Sequence, residues 1–436
     1  MVEQALYSVN RRISKGIFGM RLRTERTHLF APNIQIVQKV SIYGVPSIQA
    51  LENAIRNACD LQESLNCKIV IDESGESRYE KTKVVVPINI VYEEWETIAI
   101  KQARTRMQIE EGELIRFFLI PKKCETELII IAHHLAGDGN SITYLIEDIM
   151  NILSGEKLSF KKLKIIEGQD LPKESNMPFL TKLYIKNLNN KWLRERKLYS
   201  FTDCKQVFKE YWSHIDHDFF DHEFTREETE YICQYAKKAD VTVNSLLTTV
   251  MLATYSKKAD VGLAVSIREN YRGMANLVTG IAFKYKYKNR MSLIKNAQGV
   301  HKVIKKKLIN PKINYFVLRF LDLLDGPFID SACVNRYVHN IGNPSNTLCN
   351  LMQYSENLRD IGVSNLMKVD IRSNYGEMRI DHLVFLPPIV PYARRICGAV
   401  TLDGKLNLTM HIVKDEMFQE EEIFFKNLIL RLQDLK

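Results

Sequence analysis

The sequence predicts a mixed α/β protein of two domains. The chain has 436 residues, whereas a single hydrophobic core rarely grows beyond ~250 to 300 residues. In both halves, short runs of β-branched and aromatic residues alternate with amphipathic helical patterns, which is typical of α/β proteins. Apolar residues make up 45% and charged residues 26% of the chain, a composition that leaves enough material for two buried cores.

The first half predicts a helix packed on a sheet. Pro46 and Ser47 precede apolar residues that recur at three- and four-residue steps, so a helix begins there. Strands are predicted over 67–71, 114–120 and 127–134, which are short and rich in β-branched or aromatic residues. The last run is almost entirely apolar, which predicts a central strand covered on both faces.

A loop and a second helix follow this central strand. Residues 135–140 contain two glycines, and from 142 to 153 apolar residues recur with helical spacing. Gly155 supplies the stop. The end of the strand therefore lies at a strand–loop–helix corner.

The second half begins after a crossover. Between 156 and 210 the pattern weakens, apart from a predicted helix at about 178–198. Alternation over 211–219 predicts a partly exposed strand. That strand leads into a helix capped by Thr225 and Glu228, in which each side chain bonds the other residue's backbone amide.

The remaining elements of the second half are helices and short strands. The helices are predicted to run to about 238 and over 242–256, and the strands over 261–267, 361–371, 380–386, 397–402 and 405–412. An Asp403-Gly404 pair joins the last two strands in a hairpin.

Several features favour a reduced, cytoplasmic environment. The eight cysteines are scattered, without a Cys-x-x-Cys pair or histidines at zinc-finger spacing. The first twenty residues carry an early glutamate and lack an uninterrupted apolar core, unlike a secretory signal. No apolar run approaches the ~18 residues of a membrane span. No Gly-rich phosphate loop follows a strand, so nucleotide-driven chemistry is not indicated.

His133-His134-Leu-Ala-Gly-Asp138-Gly139 is the sharpest chemical signal in the chain. Histidine is the usual general base because its pKa lies near neutral pH. Consecutive strand residues point to opposite faces, so only one of the two histidines faces a given cavity and the other is structural. The glycines allow a tight turn, and the helix after Gly139 directs free amides toward the corner, which suits a developing oxyanion.

Other interpretations of the ligand-like residues stay open from sequence alone. Paired histidines at a strand end can be core residues, with Asp138 as a helix cap. His, His and Asp are also metal ligands, although adjacent strand residues diverge. A second cluster, His214, His217 and His222, fits the alternating strand better than a metal site. Cys397 lacks a nucleophile signature and fits a buried, unreactive thiol. We therefore predict no metal site.

Residues 128–149, LIIIAHHLAGDGNSITYLIEDI, resemble the active-site signature of the condensation-domain and chloramphenicol-acetyltransferase superfamily. That signature is an apolar strand, His-His-x-x-x-Asp-Gly and an amphipathic helix. Elsewhere, EGELIRFFLI looks like the family strand before the motif, VTVNSLLTTVMLATY like the helix opening the second lobe, VSIRENYRGMANLVTG like the Arg-containing strand with its Asn-Gly loop, and GVSNLMKVDI like the Ser-Asn strand end. The similarity is weakest over 156–210 and 312–350.

The resemblance implies a role for each motif residue. His134 would be the catalytic base or a substrate-positioning residue in a tunnel between two lobes, and His133 would be structural. Asp138 would point away from substrate and pair with Arg268, because arginine can hold a corner rigid with two hydrogen bonds. Gly139 would present its backbone amide to the reacting carbonyl oxygen.

The resemblance also implies an architecture. Two chloramphenicol-acetyltransferase-like α/β lobes, each a mixed sheet with helices on one face, would form a V-shaped pseudo-dimer. The boundaries we predict are 1–170 for the lobe that carries the motif, 171–210 for a crossover linker and 211–436 for the second lobe.

The implied function is acyl transfer from a pantetheine thioester to an amine or alcohol, in secondary metabolism such as nonribosomal peptide synthesis. The donor would be a carrier protein or coenzyme A, and no further cofactor is needed because a thioester is already activated. The predicted partners are an acyl or peptidyl carrier protein and a small acceptor, with no nucleic acid and no membrane span, for a monomeric protein. The alternatives are a coenzyme A-dependent alcohol O-acyltransferase and a non-catalytic protein that recruits carriers.

The net charge of +9 is concentrated in one segment, residues 284–312, called here the basic tract. It holds ten Lys or Arg and no acid. An apolar stripe over 293–308 predicts a helix with a solvated lysine face, which needs no partner. Alternatively, the tract attracts an acidic carrier protein. The residues proposed for such docking are Lys302, Lys305, Lys306 and Lys307.

Overall fold

A computed structural model describes residues 20–338, 342–354, 358–390 and 393–435. The predicted mixed α/β class is confirmed, because two six-stranded mixed sheets are flanked by helices. The amino-terminal segment in which no secretory signal is predicted lies almost wholly outside the described residues. None of the described helices combines the length and apolar character needed to cross a membrane.

The first sheet is built around the predicted central strand. Its strands, in order across the sheet, are Asn374–Tyr375, Met378–Leu386, Gln35–Tyr43, Glu125–His133, Ile115–Pro121 and Ile88–Ile90. Glu125–His133, called here the motif strand, pairs on both sides, and six consecutive residues from Leu128 to His133 are buried. The adjacent strand Gln35–Tyr43 was not predicted, because its buried Gln38 and Ser41 interrupt the apolar pattern.

Two helices pack together beside this sheet. Ile48–Asp60 begins as predicted, with Ser47 Oγ accepting from the amide of Ala50. Its buried face meets Gly139–Leu153, called here the motif helix. One prediction about the sheet was wrong: Cys67–Ile71 is a strand, but it pairs with Ser77–Lys81 in a separate three-stranded sheet.

The crossover contains two helices rather than one. Phe179–Arg194 matches the predicted helix, and Phe201–His214 follows it. The prediction of a strand over 211–219 was therefore wrong for its first four residues, which complete the second helix. Ser200 and Asp203 cap this helix reciprocally and commit the segment to helical hydrogen bonding. The strand itself is Asp216–Glu223.

The second sheet contains five of the predicted strands and one that was not predicted, Val278–Lys286. In order across the sheet the strands are Val278–Lys286, Lys258–Ser266, Ile361–Lys368, Arg395–Leu402, Lys405–Lys414 and Asp216–Glu223. Asp403 and Gly404 both have positive φ, at 48° and 77°. That pair of values matches the mirror-image turn that joins hairpin strands, so the predicted hairpin is confirmed.

The remaining helices include those predicted in the second half. Thr225 and Glu228 form the predicted capping box. The helices not yet named are Trp95–Ala103, Arg226–Lys238, Val243–Tyr255, Leu293–Leu308, Pro311–Asn314, Phe316–Leu323, Gly326–Tyr337, Asn343–Leu351 and Phe418–Gln433.

The two sheets do not follow the order of the chain. Met378–Leu386 lies in sequence between two strands of the second sheet, but it pairs antiparallel with Gln35–Tyr43 of the first. It also contacts Arg395–Leu402 and Lys405–Lys414 of the second sheet. This strand therefore connects the two sheets close to the motif. The predicted lobe boundaries at 170 and 211 remain a prediction.

Candidate active site

The two motif histidines have different surroundings, as strand alternation requires. His133 is the last residue of the motif strand and is only 8% exposed. Its Nδ1 accepts from the amide of Leu135 at 3.1 Å, and burial lowers its pKa to about 3. His134 is less buried as a residue. Of the pair, His134 is thus the more exposed.

The ring of His134 stacks on another histidine, His28. The two ring centroids are 4.4 Å apart and the ring planes differ by 16°. Burial lowers the pKa of His134, partly offset by the charge of Asp138 and by the residue's own carbonyl. Its buried Nδ1 makes no hydrogen bond to another described residue. His134 is therefore held unprotonated, in a fixed plane.

His28 is positioned by a residue from the second half of the chain. Asn276 Nδ2 lies 2.9 Å from His28 Nε2, which makes that ring nitrogen the acceptor in a neutral imidazole. Burial and the two motif histidines hold the pKa of His28 well below its usual value. Neither His28 nor Asn276 was predicted as a site residue. Asn276 lies within the quoted segment VSIRENYRGMANLVTG, which was the only available signal.

Both carboxylate oxygens of Asp138 accept hydrogen bonds from residues other than the two histidines. It caps the motif helix, accepting at Oδ1 from the amide of Ser141 at 3.0 Å. Oδ2 accepts from the amide of Leu277 at 2.9 Å. Arg268 Nη2 donates to Oδ1 at 2.8 Å, and both side chains are at most 3% exposed. The sequence-predicted pair is thus brought together, and it joins the motif corner to the second half.

Arg268 also organises the loop that follows its strand. Nη1 donates to the carbonyls of Tyr271 and Gly273, and Nη2 donates to that of Ala275 at 2.5 Å. Ser141 Oγ donates to the same Ala275 carbonyl at 2.7 Å. One guanidinium therefore fixes both the loop and the start of the motif helix.

Gly139 begins the motif helix at the point where the two sheets meet. An added Cβ would lie 2.8 Å from Leu366 Cδ2 and 2.8 Å from Phe385 Cε2, so no side chain fits without displacing them. Leu366 belongs to a strand of the second sheet and Phe385 to the strand that crosses to the first. Gln38 Nε2 donates to the Gly139 carbonyl at 2.7 Å. The Gly139 amide, as the first of the helix, has no acceptor within the helix.

The buried carboxyl of Glu25 is linked to the motif loop through Tyr79. Tyr79 Oη lies 2.7 Å from Glu25 Oε2 and 2.8 Å from the carbonyl of Leu135. A phenol has one proton, so both contacts are satisfied only if the carboxyl supplies a second. Burial raises the pKa of Glu25 to about 8, which keeps it protonated at neutral pH. Sequence reasoning missed Glu25, which lies far from the motif in the chain.

The other residues considered from sequence lie apart from this site. His217 is buried, with Asn33 Nδ2 2.7 Å from its Nδ1 and Tyr211 Oη on its other nitrogen, whereas His214 is exposed. Cys397 is buried, and burial raises its pKa to about 12, which disfavours a nucleophilic thiolate.

In the described part of the chain, one group of acids and histidine is close enough to share an ion: Glu223, Asp381 and His382. Lys405 Nζ already lies 2.8 Å from Asp381 and 3.6 Å from Glu223. One ammonium therefore already pairs with both carboxylates of this group.

Lys302, Lys305, Lys306 and Lys307 lie on the predicted helix, Leu293–Leu308. The first three are exposed and Lys307 is half-buried, while Ala297, Val300 and Ile304 face the core. No side chain of the basic tract forms an ion pair within the described residues.

No family model matches the sequence, and no curated protein matches it significantly. Solved structures do match over nearly the whole chain. TRI3 trichothecene 15-O-acetyltransferase from Fusarium sporotrichioides has a TM-score of 0.63 at 11% identity, with 95% of this chain and 94% of that chain covered. The first condensation domain of the CDA synthetase has a TM-score of 0.63 at 11% identity, covering 96% and 95%.

A third similar structure is polyketide synthase associated protein 5 from Mycobacterium tuberculosis, with a TM-score of 0.59 at 10% identity, covering 96% of this chain and 98% of that one. The chain has the condensation-domain fold. At such low identity the similarity establishes the fold alone, and it agrees with the resemblance found in the motif. In this condensation-domain fold, the His-His-x-x-x-Asp-Gly corner is where strands of both sheets and the loop after Arg268 converge.

Proposed function

We propose that this protein is an acyltransferase that moves an acyl group from a pantetheine thioester to an amine or alcohol, with His134 as general base. The observation that carries the proposal is the unprotonated, accessible His134, stacked on His28 beside an aspartate that is wholly committed to Arg268. A neutral imidazole is the form that accepts a proton.

The proposed reaction needs only one proton carrier. His134 takes the proton of the acceptor N–H or O–H as the acceptor attacks the thioester carbonyl, forming a tetrahedral oxyanion. As the intermediate collapses, the C–S bond breaks and the imidazolium returns the proton to the thiolate. Asp138 does not take part, because its two oxygens already accept from Ser141, Leu277 and Arg268.

The start of the motif helix is the proposed oxyanion site. The Gly139 amide is free of intrahelical bonding, and the positive end of the helix dipole lies at this corner. Amides fixed before the reaction stabilise an oxyanion more than water does, because they need no reorganisation. Gly139 is the residue type this position requires, since Leu366 and Phe385 occupy the space of any side chain.

Intact-mass measurement tests the proposal. Candidate acyl carrier proteins and acyl-coenzyme A donors are incubated with amines or alcohols, with and without the protein. We expect the acyl mass to leave the donor and to appear on the acceptor only when the parent protein is present. Carrier-bound and coenzyme A donors are measured separately, which also distinguishes the two donor classes.

The His134→Ala variant is the matched control for chemistry. If parent and variant deplete the donor equally, His134 is not the base. If the carrier binds tightly and no donor loses its acyl group, the chain is a carrier-recruiting protein and the enzymatic proposal is wrong.

A further inference from the structure

The crossover helix Phe179–Arg194 carries two apolar faces, and only one of them is used internally. Ile185, Leu188 and Trp192 are buried and hold the helix to the body of the protein. Trp192 stacks on Phe328 with centroids 5.1 Å apart, and its Nε1 donates to Asp325 at 2.9 Å. The orientation of the helix is therefore fixed, including that of its outward face.

The outward face carries large apolar side chains in its first two turns. Phe179 and Leu180 are 76% and 75% exposed, and Leu183 and Tyr184 are 51% and 48% exposed. At 100° per residue Phe179 and Leu183 lie opposite the buried positions, and Leu180 and Tyr184 lie on the flank between the two faces. Exposed single apolar residues are ordinary, but four within six positions form a protruding patch that marks an interaction site.

The same helix is strongly basic. It contains Lys182, Lys186, Lys191 and Arg194 and no acid. These cations are exposed, and none forms an ion pair within the described residues. The occupant of this face is therefore expected to be both apolar in its interior and anionic at its surface.

We propose that Phe179–Arg194 is a peripheral docking surface for an anionic lipid bilayer. Phe179 and Leu180 expose about three-quarters of their surface. Side chains that protrude this far fit a deformable lipid phase better than a rigid protein, which would need a matching pocket for each. Interfacial helices combine Phe, Leu and Tyr that enter the acyl boundary with Lys and Arg that contact lipid phosphates. In this arrangement Phe179, Leu180 and Leu183 insert, and the lysines lie at headgroup level.

Vesicle cosedimentation of the whole chain tests this surface, without any acyl donor, so that its outcome is independent of the proposed enzymatic function. The lipids are phosphatidylcholine alone and phosphatidylcholine mixed with phosphatidylglycerol. We expect binding to the anionic vesicles, and a loss of roughly ten-fold or more in Leu180→Ser/Leu183→Ser and in Lys182→Glu/Lys186→Glu/Lys191→Glu.

Two matched control variants distinguish binding through this helix from nonspecific adsorption of the protein to vesicles. Ile423→Ser/Leu430→Ser removes exposed apolar residues from another helix, and Lys302→Glu/Lys305→Glu/Lys306→Glu reverses three charges of the basic tract. Both are expected to bind like the parent. Absence of parent binding to anionic vesicles, or equal losses in the controls, overturns the proposal. A helix variant that binds vesicles normally but no longer takes an acyl group from a carrier protein also overturns it, in favour of a protein partner.

Discussion

Adjacent histidines acquire opposite properties here because they alternate across a strand. His133 points into the first core, where its ring accepts from Leu135 and cannot leave without opening the sheet. His134 points the other way, onto His28. A single backbone geometry thus separates a structural imidazole from a chemically useful one.

Replacing His134 by alanine is expected to slow acyl transfer by ~10² to 10⁴-fold, the usual contribution of a general base. The melting temperature should stay close to that of the parent, because the residue is not part of the sheet core. His133→Ala should do the reverse, losing stability more than rate. Steady-state turnover and thermal unfolding of both variants measure this contrast. If His134→Ala turns over within twofold of the parent, His134 is not the general base.

Glu25→Gln should change the pH dependence of stability. The carboxyl has a pKa of about 8 when folded, against an ordinary value of 4.5. Between these values the folded state retains a proton that the unfolded chain has released, so stability falls as pH rises, by about 1.4 kcal/mol per pH unit. Glutamine cannot ionise, and its side-chain N–H can donate to Tyr79 Oη in place of the carboxyl proton. The free energy of unfolding, measured in urea at pH 5 and pH 8, should rise in the variant relative to the parent at the higher pH.

The exposed Glu174→Gln is the control for that experiment, and its stability should follow the parent at both pH values. If Glu25→Gln also follows the parent at both, the carboxyl is not protonated in the folded state.

At this scale, the sequence was informative where residues belong to a recognisable motif, including Arg268, whose pairing with Asp138 followed from the family resemblance. His134, Asp138 and Gly139 could be predicted as site residues because their spacing is local. His28, Glu25 and Asn276 reach the same corner from separate segments. Nothing near His28 or Glu25 in the sequence distinguishes them from ordinary residues, and Asn276 is marked only by the family-like segment that contains it. Folding, rather than spacing, creates their roles.

At the scale of elements, the motif helix and the loop after Arg268 form one rigid unit through a buried ion pair. Removing one partner of such a pair leaves a charge in a medium of low dielectric constant, which typically costs ~3 to 5 kcal/mol. Asp138→Asn and Arg268→Met should each lower the free energy of unfolding, and the double variant should lose less than the sum. Strict additivity in urea unfolding would contradict the coupling.

Arg372→Met serves as the comparison for the Asp138–Arg268 cycle. Arg372 pairs with Glu156, and both side chains are about half exposed. A surface pair of this kind contributes little to the free energy of unfolding because water and salt screen it, so Arg372→Met should cost much less stability than Arg268→Met.

The basic tract provides a second prediction for a single element. Changing Lys302, Lys305, Lys306 and Lys307 together to Glu reverses the exposed charge of Leu293–Leu308. If an acidic carrier protein docks there, transfer from a carrier-bound acyl group should fall and should depend on salt, while transfer from a small pantetheine thioester is unchanged. Equal rates for parent and variant with both donors would assign the tract to solubility.

Elements with strong local signals were predicted and those dominated by tertiary packing were not. The motif strand, the motif helix and the helix capped by Thr225 carry their own periodicity or caps. Gln35–Tyr43 carries buried Gln38 and Ser41, because Gln38 is needed to bond Gly139 and Thr143. The pairing partner of Cys67–Ile71 could not be read locally either, since a strand pattern does not state which sheet it joins.

For the whole molecule, several histidines are buried and unprotonated. Burial lowers the pKa of His133 to about 3 and that of His411 to about 4, and it holds those of His28 and His217 well below their usual value. Their stabilising contribution is complete above pH 6.5. It is lost as pH falls, because the unfolded chain then binds protons that the folded state excludes.

His411→Gln tests this dependence with one residue. His411 Nδ1 lies 2.8 Å from the carbonyl of Pro387, and a glutamine amide can donate to the same carbonyl. Between pH 6.5 and 4.5 the parent should lose stability faster than the variant, by up to about 1.4 kcal/mol per pH unit. The exposed His214→Gln should keep the parent's slope. Parallel stability curves for parent and His411→Gln would show that His411 takes up its proton without unfolding.

The strand Met378–Leu386 also determines how this protein can be divided. A fragment ending near residue 210 would keep Gln35–Tyr43 but lose the strand that covers its outer side, exposing a row of unpaired N–H and C=O groups. Such an open edge recruits strands from other molecules and promotes aggregation. The complementary fragment would carry Met378–Leu386 without the sheet that it completes. We therefore expect that neither half folds by itself, and that separately produced halves must associate before either reaches its native state.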